Sequence, residues 1–239
     1  AFIAEPILAS GGVIVPPNGY HAACLEVCRR HNVIYISDEV VTGFGRLGHW
    51  YASEPVFDIT PDIIISAKGL TSGYVPLAAM IISDRLIDEV SQSVEGGAVF
   101  SNGFTYSGHP VAAAVALANL DLIARDGLVE KIRDDTGPYL AAALEPLAAH
   151  PLVGEVRSFG LLAAIELVKD KAGPVLFDPV GEVGVICRDH AINQGLMVRA
   201  VRDAMIMSPP LSFERADIDL MVATLATALD RTLEDITKR

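Results

Sequence analysis

The sequence is poor in cysteine, tryptophan and positive charge. It holds three cysteines and one tryptophan in 239 residues, and 30 acidic residues outnumber 18 basic ones. A small, odd set of cysteines without a regular spacing argues against a disulfide framework and favours a reducing compartment, so we expect a cytoplasmic protein. The formal net charge of -12 opposes binding to a phosphate backbone, which argues against a nucleic-acid partner.

Long apolar runs are missing as well. Hydrophobic residues make up 51% of the chain, yet no uninterrupted stretch approaches the roughly 20 residues that a membrane-spanning helix needs, so no membrane association is expected. The chain also opens without Met and without a basic-then-apolar leader. Its first residues, Ala1–Pro6, are typical of a strand already inside a sheet. We therefore expect the C-terminal part of a longer polypeptide.

Two short apolar runs end in residues of opposite charge. Asp38 follows one run and Lys68 follows the other. Unbroken blocks of β-branched residues are typical of strands buried on both faces. In open α/β sheets the ligand crevice lies outside the carboxyl ends of the strands, so an amine and a carboxylate placed there can face one ligand. The pair suits pyridoxal phosphate, because a lysine can bind its aldehyde and a carboxylate can keep its ring nitrogen protonated.

The segments around these two residues resemble successive signatures of the class III aminotransferases. They are residues 37–48, 60–70 and 102–110, and their order and spacing match too. Further similarity lies upstream in residues 4–17 and downstream in residues 195–211. The resemblance therefore covers nearly the whole chain.

The resemblance implies an α/β protein of fold-type I, with a mostly parallel sheet in its large domain and a small α+β C-terminal domain. We place residues 1–124 in the C-terminal part of the large, pyridoxal-phosphate-binding domain and residues 125–239 in the small domain. Members of the family carry a phosphate-binding loop and a ring-stacking aromatic in an N-terminal part that this chain does not include.

Local patterns predict the individual elements. Helices are predicted for residues 20–31, for residues 110–123 and from Ser212 onwards, where Ser212 is a candidate N-cap. A buried strand is predicted for residues 78–82, an antiparallel pair for residues 153–167 and a further short strand for residues 205–207. Together these patterns favour a mixed α/β architecture for the first part of the chain, and an antiparallel strand pair, a short strand and a long helix for the second part.

The resemblance also implies roles for four residues near the cofactor. Lys68 would hold pyridoxal 5'-phosphate covalently and then move a proton between substrate and cofactor. Asp38 would pair with the pyridinium nitrogen, and Val40 would pack on the ring. Thr105 would reach the cofactor phosphate of the other subunit, which predicts a homodimer with a shared active site.

Departures from the family pattern reduce the range of substrates that the resemblance implies. Relatives that use 2-oxoglutarate with ornithine or 4-aminobutyrate usually have an acid where this chain has Ser10 and a Gln where it has Val41. The resemblance then implies transfer from an ω-amino acid or amine donor to a 2-oxo acid acceptor, pyruvate. Arg199 would bind the substrate carboxylate with its guanidinium fork, with Arg202 as the alternative. A class III aminomutase, a 2-oxoglutarate transaminase and a catalytically silent fragment that packs with other chains stay open.

A glycine motif at residues 43–48 fits the G-x-G-x-x-G pattern of dinucleotide-binding proteins. That pattern needs a helix opening at the glycines, whereas Pro55 and Pro61 interrupt the following stretch, so we reject it. Glu39 and Arg46 are predicted to be structural partners that hold this glycine loop.

Four potential metal ligands share one face of the first predicted helix: His21, Cys24, Cys28 and His31. At a rise of about 1.5 Å per residue the outer two lie roughly 15 Å apart along the axis. One zinc ion needs all its ligands within about 2.0–2.3 Å. We therefore predict no metal site and expect cysteines that pack against a sheet.

Overall fold

The computed structural model describes residues 1–92, 103–173 and 175–238. Within them the chain forms two compact units, and each is built from separated stretches of sequence. The first unit comprises residues 1–6, 16–45 and 49–127, and the second comprises residues 7–15, 46–48 and 128–239. Residues 7–15 and 46–48 thus belong to the second unit although they lie early in the sequence. The predicted domain division after residue 124 stays a prediction.

The first unit contains a four-stranded sheet in the order β1-β2-β3-β4. Its strands are β1 (Phe2–Ala4), β2 (Tyr35–Asp38), β3 (Ile63–Ser66) and β4 (Ala79–Ile82). The first three strands run parallel, and β4 runs antiparallel to β3. The sheet is therefore mostly parallel, as the sequence predicts.

Helical segments connect these strands and follow the last of them. They are α1 (Tyr20–Arg30), α2 (Ser53–Phe57), a 3-10 turn (Lys68–Leu70), α3 (Asp84–Gln92) and α4 (Pro110–Arg125). Buried Cys28 of α1 packs with Tyr35 and Ile59, which confirms a cysteine facing the sheet. His21 is also buried, and its ring nitrogens lie 2.8 Å from the Tyr35 hydroxyl and 2.9 Å from the Pro6 carbonyl oxygen. It is a core residue of the first unit.

The predicted strand at residues 78–82 is confirmed as β4, but its predicted burial is wrong. On β4, Met80 is 45% exposed and Ile81 is 47% exposed. Strand β3 is also only half-buried over residues 63–65. An apolar run indicates that its side chains favour burial, but the neighbours that cover a strand are encoded elsewhere in a sequence. Here β4 is an edge strand of the described sheet.

The second unit contains an antiparallel sheet in the order β5-β6-β8-β7. Its strands are β5 (Val153–Phe159), β6 (Leu162–Leu167), β7 (Arg199–Val201) and β8 (Ala204–Met207). The predicted antiparallel pair and the predicted strand at residues 205–207 are confirmed. The sequence analysis missed β7, a strand of three residues.

Helices pack with this sheet around one apolar core. They are α5 (Leu128–Lys131), a π-helical turn (Ile132–Thr136), α6 (Gly137–Leu144), a 3-10 turn (Glu145–Ala149), α7 (Glu182–Asn193) and α8 (Arg215–Thr237). Leu140, Ile165, Met205 and Leu229 are fully buried in that core.

Helix α8 begins three residues later than its predicted N-cap. Glu214 caps the helix, and the Asp217 carboxylate accepts a hydrogen bond from the Glu214 N–H in a capping box. The prediction of Ser212 as the N-cap is wrong, because two acidic residues can form the same reciprocal pattern as Ser and Glu. Among the described helices, none combines the length and the apolar character needed to cross a bilayer.

Candidate active site

Lys68 and Asp38 lie at the same edge of the first unit's sheet. In the parallel pairing of β2 and β3, Asp38 stands opposite Ile65, and Lys68 lies two residues after the end of β3 at Ser66. Carboxyl ends of neighbouring parallel strands meet at one edge, where ligands of open α/β sheets bind. The Asp38 side chain is half-buried and Lys68 is exposed. The edge thus presents an accessible amine beside a partly shielded carboxylate.

The backbone of Lys68 is strained. Its φ is 36°, in the left-handed region that a residue with a Cβ enters at a cost of about 1–3 kcal/mol. Gly69 comes next, and a Cβ added there would lie 3.0 Å from the Cβ of Phe44. Glycine therefore allows the lysine turn to lie directly on the loop that follows Asp38.

One side chain of α4 binds the lysine turn. The Asn119 amide nitrogen donates to the carbonyl oxygens of Gly69 at 2.9 Å and Leu70 at 3.1 Å. Its amide oxygen accepts a hydrogen bond from the Ser72 hydroxyl at 2.7 Å. Sequence reasoning missed Asn119, because a single polar residue in an Ala-rich helix is usually a solvated one and carries no other signal.

Local backbone orients the Asp38 carboxylate. Its Oδ1 accepts the Val40 N–H at 3.1 Å, and the next residue, Glu39, donates its N–H to the Ile65 carbonyl oxygen at 2.9 Å. The backbone hydrogen bonding to β3 therefore continues for one residue beyond Asp38. Within the described part of the chain, Asp38 Oδ2 accepts no hydrogen bond, so one carboxylate oxygen is free to bind a ligand.

Glu39 holds the loop that follows the aspartate. It is completely buried. Its Oε1 accepts the N–H of Ala52 at 2.8 Å and both the N–H and the hydroxyl of Ser53, while Oε2 accepts the Thr42 hydroxyl at 2.6 Å. Four donors satisfy this buried carboxylate, which confirms its structural role.

Arg46 has a different partner from the one expected. In the second unit its guanidinium donates to the carbonyl oxygens of Leu161 at 2.9 Å and Pro209 at 2.5 Å. Burial lowers the pKa of Arg46 to about 10, because desolvation disfavours the charged form. Arg46 therefore anchors residues 46–48 within the second unit, rather than bonding to Glu39.

Asp62 belongs to an ion cluster at the other end of β3. It directly precedes that strand and accepts hydrogen bonds from Arg29, Arg85 and the Tyr35 N–H. Burial alone would raise the pKa of Asp62, but the hydrogen bonds from Arg29, Tyr35 and Arg85 hold it below its ordinary value. A cavity of about 270 Å³ lies beside this cluster. Asp62 is thus part of a structural network remote from the carboxyl end of β3.

The remaining predicted residues lie on other elements. Thr105 is exposed in the turn that precedes α4 in the first unit. Asn102, which belongs to the same sequence signature, lies outside the described residues. In the second unit Arg199 is exposed at the start of β7, opposite Ile206. Arg202 is exposed in the β7–β8 turn with φ 53°.

The described residues contain no group of three or more His, Cys, Asp or Glu side chains arranged to hold a metal ion. The chemistry at the sheet edge is instead that of an amine and a carboxylate. A lysine that can bind an aldehyde and a carboxylate with a free oxygen fit pyridoxal phosphate, whose pyridine nitrogen needs a negative partner.

A mostly parallel α/β unit with a lysine and an aspartate at one sheet edge is typical of enzymes that bind this cofactor through a lysine. The chain belongs to the class-III aminotransferase family, because the sequence model of that family matches residues 1–229. This match confirms the predicted family and, with the structural similarity below, the predicted fold-type I class.

Several known proteins are similar to this chain. A putrescine–pyruvate aminotransferase of Pseudomonas aeruginosa is 45% identical over 232 residues, which are 97% of this chain and 50% of that protein. A diaminobutyrate–2-oxoglutarate transaminase of Halomonas elongata is 39% identical over 241 residues, covering 100% of this chain and 51% of that protein. The crystal structure of the ω-transaminase of Pseudomonas jessenii in complex with PMP has a TM-score of 0.93 and 40% identity, with 98% of this chain and 51% of that chain covered. The chain spans about half the length of these relatives.

Proposed function

We propose that the full-length protein carrying this chain is a pyridoxal-5'-phosphate-dependent transaminase. It moves an amino group from an ω-amino acid or amine donor to a 2-oxo acid, pyruvate. The observation that carries the proposal is the position of Lys68 at the carboxyl end of a strand beside Asp38, in a chain of the class-III family. In this proposal residues 1–124 belong to the cofactor-binding domain and residues 125–239 to the small domain.

Each residue at the sheet edge has a chemical task in this proposal. Bound pyridoxal phosphate supplies an electron-withdrawing ring that stabilises negative charge at the reacting carbon. Lys68 would hold the cofactor through Nζ and would accept and return a proton at that atom. Asp38 keeps the ring nitrogen protonated with its free Oδ2, and Val40 packs on the ring face and excludes water.

We propose that the enzyme is a homodimer with a shared active site. Large apolar side chains are exposed on the first unit near Thr105: Phe104 is 87% exposed and Tyr106 is 80% exposed. Val111 and Leu117 on α4 are exposed as well. Exposed apolar patches of this kind are typical of surfaces that bind another protein. In the dimer, Thr105 donates its hydroxyl to the cofactor phosphate of the partner subunit.

Pyruvate is the proposed acceptor. The chain lacks the acid and the Gln of 2-oxoglutarate users, with Ser10 and Val41 in their places, and the similar P. aeruginosa protein is named for pyruvate. Arg199 binds the substrate carboxylate in this proposal. 2-Oxoglutarate is the second candidate acceptor, because the similar H. elongata transaminase is named for it.

The cytoplasm is the proposed location. Cys24, Cys28 and Cys187 are all free thiols, which agrees with a reducing compartment.

Borohydride reduction of the full-length holoenzyme, followed by peptide mapping, tests the proposed cofactor site. We expect the pyridoxyl group on Lys68, and a label on another lysine would reject the site. Amine donors with and without a carboxylate are then assayed with pyruvate and with 2-oxoglutarate. Faster turnover with 2-oxoglutarate would favour the second candidate. A polypeptide without the N-terminal half that packs with other chains and neither binds the cofactor nor transaminates would favour the silent alternative.

A further inference from the structure

The turn that presents Lys68 contains strain at both ends. Lys68 has φ 36° and Ser72 has φ 49°, and neither residue is glycine. Within the turn, Leu70 N–H donates to the Ala67 carbonyl oxygen and Thr71 N–H donates to that of Lys68. Strained conformations of this kind persist only where the surrounding structure fixes them, and they cluster at functional sites. A contact from outside the turn is therefore needed.

Asn119 supplies that contact. Its amide nitrogen donates to the two residues that directly follow the lysine, and its amide oxygen accepts from Ser72. An amide has donors only at nitrogen and acceptors only at oxygen, so reversing it would break both hydrogen bonds to the carbonyl oxygens of Gly69 and Leu70. Among the described residues, no other side chain from outside residues 68–75 hydrogen-bonds to residues 68–72. Asn119 is thus specifically oriented, and it is the external clamp on the turn.

We propose that Asn119 is a positioning residue for Lys68, an inference that rests on the proposed function of Lys68. Asn119 acts on the backbone of the turn and does not touch the substrate. Small displacements of a reacting group are costly, since a misplacement of about 1 Å can slow a reaction about a hundredfold. Loss of the clamp should therefore slow the chemical step and leave substrate binding nearly unchanged.

The clamp itself is tested in the cofactor-free full-length protein by hydrogen exchange. Asn119→Leu keeps a similar volume and removes the amide. We expect the amides of Leu70 and Thr71 to exchange roughly tenfold faster, because their protection falls with the local opening free energy. Asp121→Asn changes an exposed residue of the same helix and should leave this exchange unchanged. Unaltered exchange in Asn119→Leu would overturn the clamp.

The effect on Lys68 is tested in the holoenzyme. In Asn119→Leu we expect kcat of the amine half-reaction to fall roughly tenfold to a hundredfold, with the KM for the amine changed by less than about twofold. Ser72→Ala removes the hydroxyl that hydrogen-bonds to the Asn119 amide oxygen, and it should give a smaller fall in kcat. This variant provides the test if Asn119→Leu does not fold. A wild-type kcat in both variants, or a loss confined to KM, would overturn the positioning role.

Borohydride mapping of the parent protein separates this inference from the proposed function. A label on Lys68 together with normal kcat in the clamp variants would reject only the role of Asn119. A label on another lysine would reject the proposed function, and the role of Asn119 in positioning Lys68 would fall with it. Faster hydrogen exchange in Asn119→Leu would then show only that Asn119 binds the turn.

Discussion

Glu39 and Ser53 are joined by two hydrogen bonds to one carboxylate oxygen. The Ser53 N–H lies 2.7 Å from Glu39 Oε1, and the Ser53 hydroxyl lies 2.6 Å from the same atom. The Ser53 hydroxyl also lies 2.8 Å from that of Ser37 on β2. Since Ser53 donates to Glu39, Ser37 donates to Ser53. A buried carboxylate thus ties the loop after Asp38 back to the strand that carries Asp38.

Glu39→Gln should destabilise the protein although it preserves shape. Gln has one carbonyl oxygen, and its NH₂ group would face donors that need an acceptor. A hydrogen bond to a charged group contributes about 1.5–3 kcal/mol, so we expect the free energy of unfolding to fall by at least about 1.5 kcal/mol. Urea denaturation of the full-length protein measures it. Glu54→Gln, at an exposed residue nearby, is the matched control, and equal stability of the two variants would contradict the role of Glu39.

Asp38→Asn tests the pairing with the ring nitrogen. The variant keeps the side-chain shape and loses the charge that favours a protonated ring. We expect the cofactor still to bind at Lys68 and the amine half-reaction to slow by about 10²–10³-fold, the size of effect found when one electrostatic stabiliser is removed. Single-turnover kinetics measure this rate. Asp58→Asn is the control, because Asp58 is exposed and has a left-handed backbone with φ 51°. A wild-type rate for Asp38→Asn would reject the pairing of Asp38 with the ring nitrogen.

Hybrid dimers test whether Thr105 serves the partner subunit. Thr105→Glu places a negative charge against the phosphate, and Lys68→Ala removes the cofactor link. In a hybrid of the two variants, both defects fall on one site and the other site has native residues. We expect purified hybrids to recover about half of wild-type activity per dimer, as two-fold symmetry requires. Hybrids no more active than either parent dimer would show that Thr105 does not act across subunits.

His150 should make stability depend on pH. In the second unit its Nδ1 accepts the Leu152 N–H at 3.2 Å. Burial lowers the pKa of His150 below its ordinary value, and nearby Asp230 opposes this shift only in part. A histidine whose folded-state pKa is lowered stabilises the protein fully above its unfolded pKa of about 6.5 and loses that contribution as the pH falls towards the folded value.

We therefore expect the free energy of unfolding to fall from pH 7.5 to pH 5.5 (about one unit either side of the unfolded pKa), and to fall less in His150→Asn. Asn keeps an acceptor for the Leu152 N–H but does not titrate. Urea denaturation of both proteins at both pH values measures how much the free energy of unfolding falls in each. Subtracting the two values cancels the contributions of other titrating groups. The same pH dependence in both proteins would exclude His150 as the source.

The sequence predicted which residues lie at the sheet edge better than it predicted the contacts that hold them there. Asp38 and Lys68 could be placed because short β-branched runs end at both, and strand order then brings the ends together. Burial of β4 was predicted wrongly, because an apolar run does not reveal its neighbours. Asn119 gave no signal, since its partners are carbonyl oxygens some 50 residues away in sequence, and backbone groups are the same for every residue type.

The last prediction concerns Arg199 and the choice of substrate. Its exposed side chain stands at the first residue of β7, so it has room to move towards a substrate carboxylate and away from a neutral amine. A hydrogen bond to a charged group contributes about 1.5–3 kcal/mol. At about 1.4 kcal/mol per decade this corresponds to roughly a ten- to hundredfold change in kcat/KM.

Arg199→Ala should therefore lower kcat/KM for pyruvate and for ω-amino acids by that factor, and largely spare an amine donor without a carboxylate. Separate half-reactions with the two donor classes measure the difference, and Arg202→Ala is the comparison variant. Because a general disturbance of β7 would slow both donor classes equally, only a selective loss supports carboxylate binding by Arg199. A selective loss in Arg202→Ala instead would transfer that role to the turn between β7 and β8.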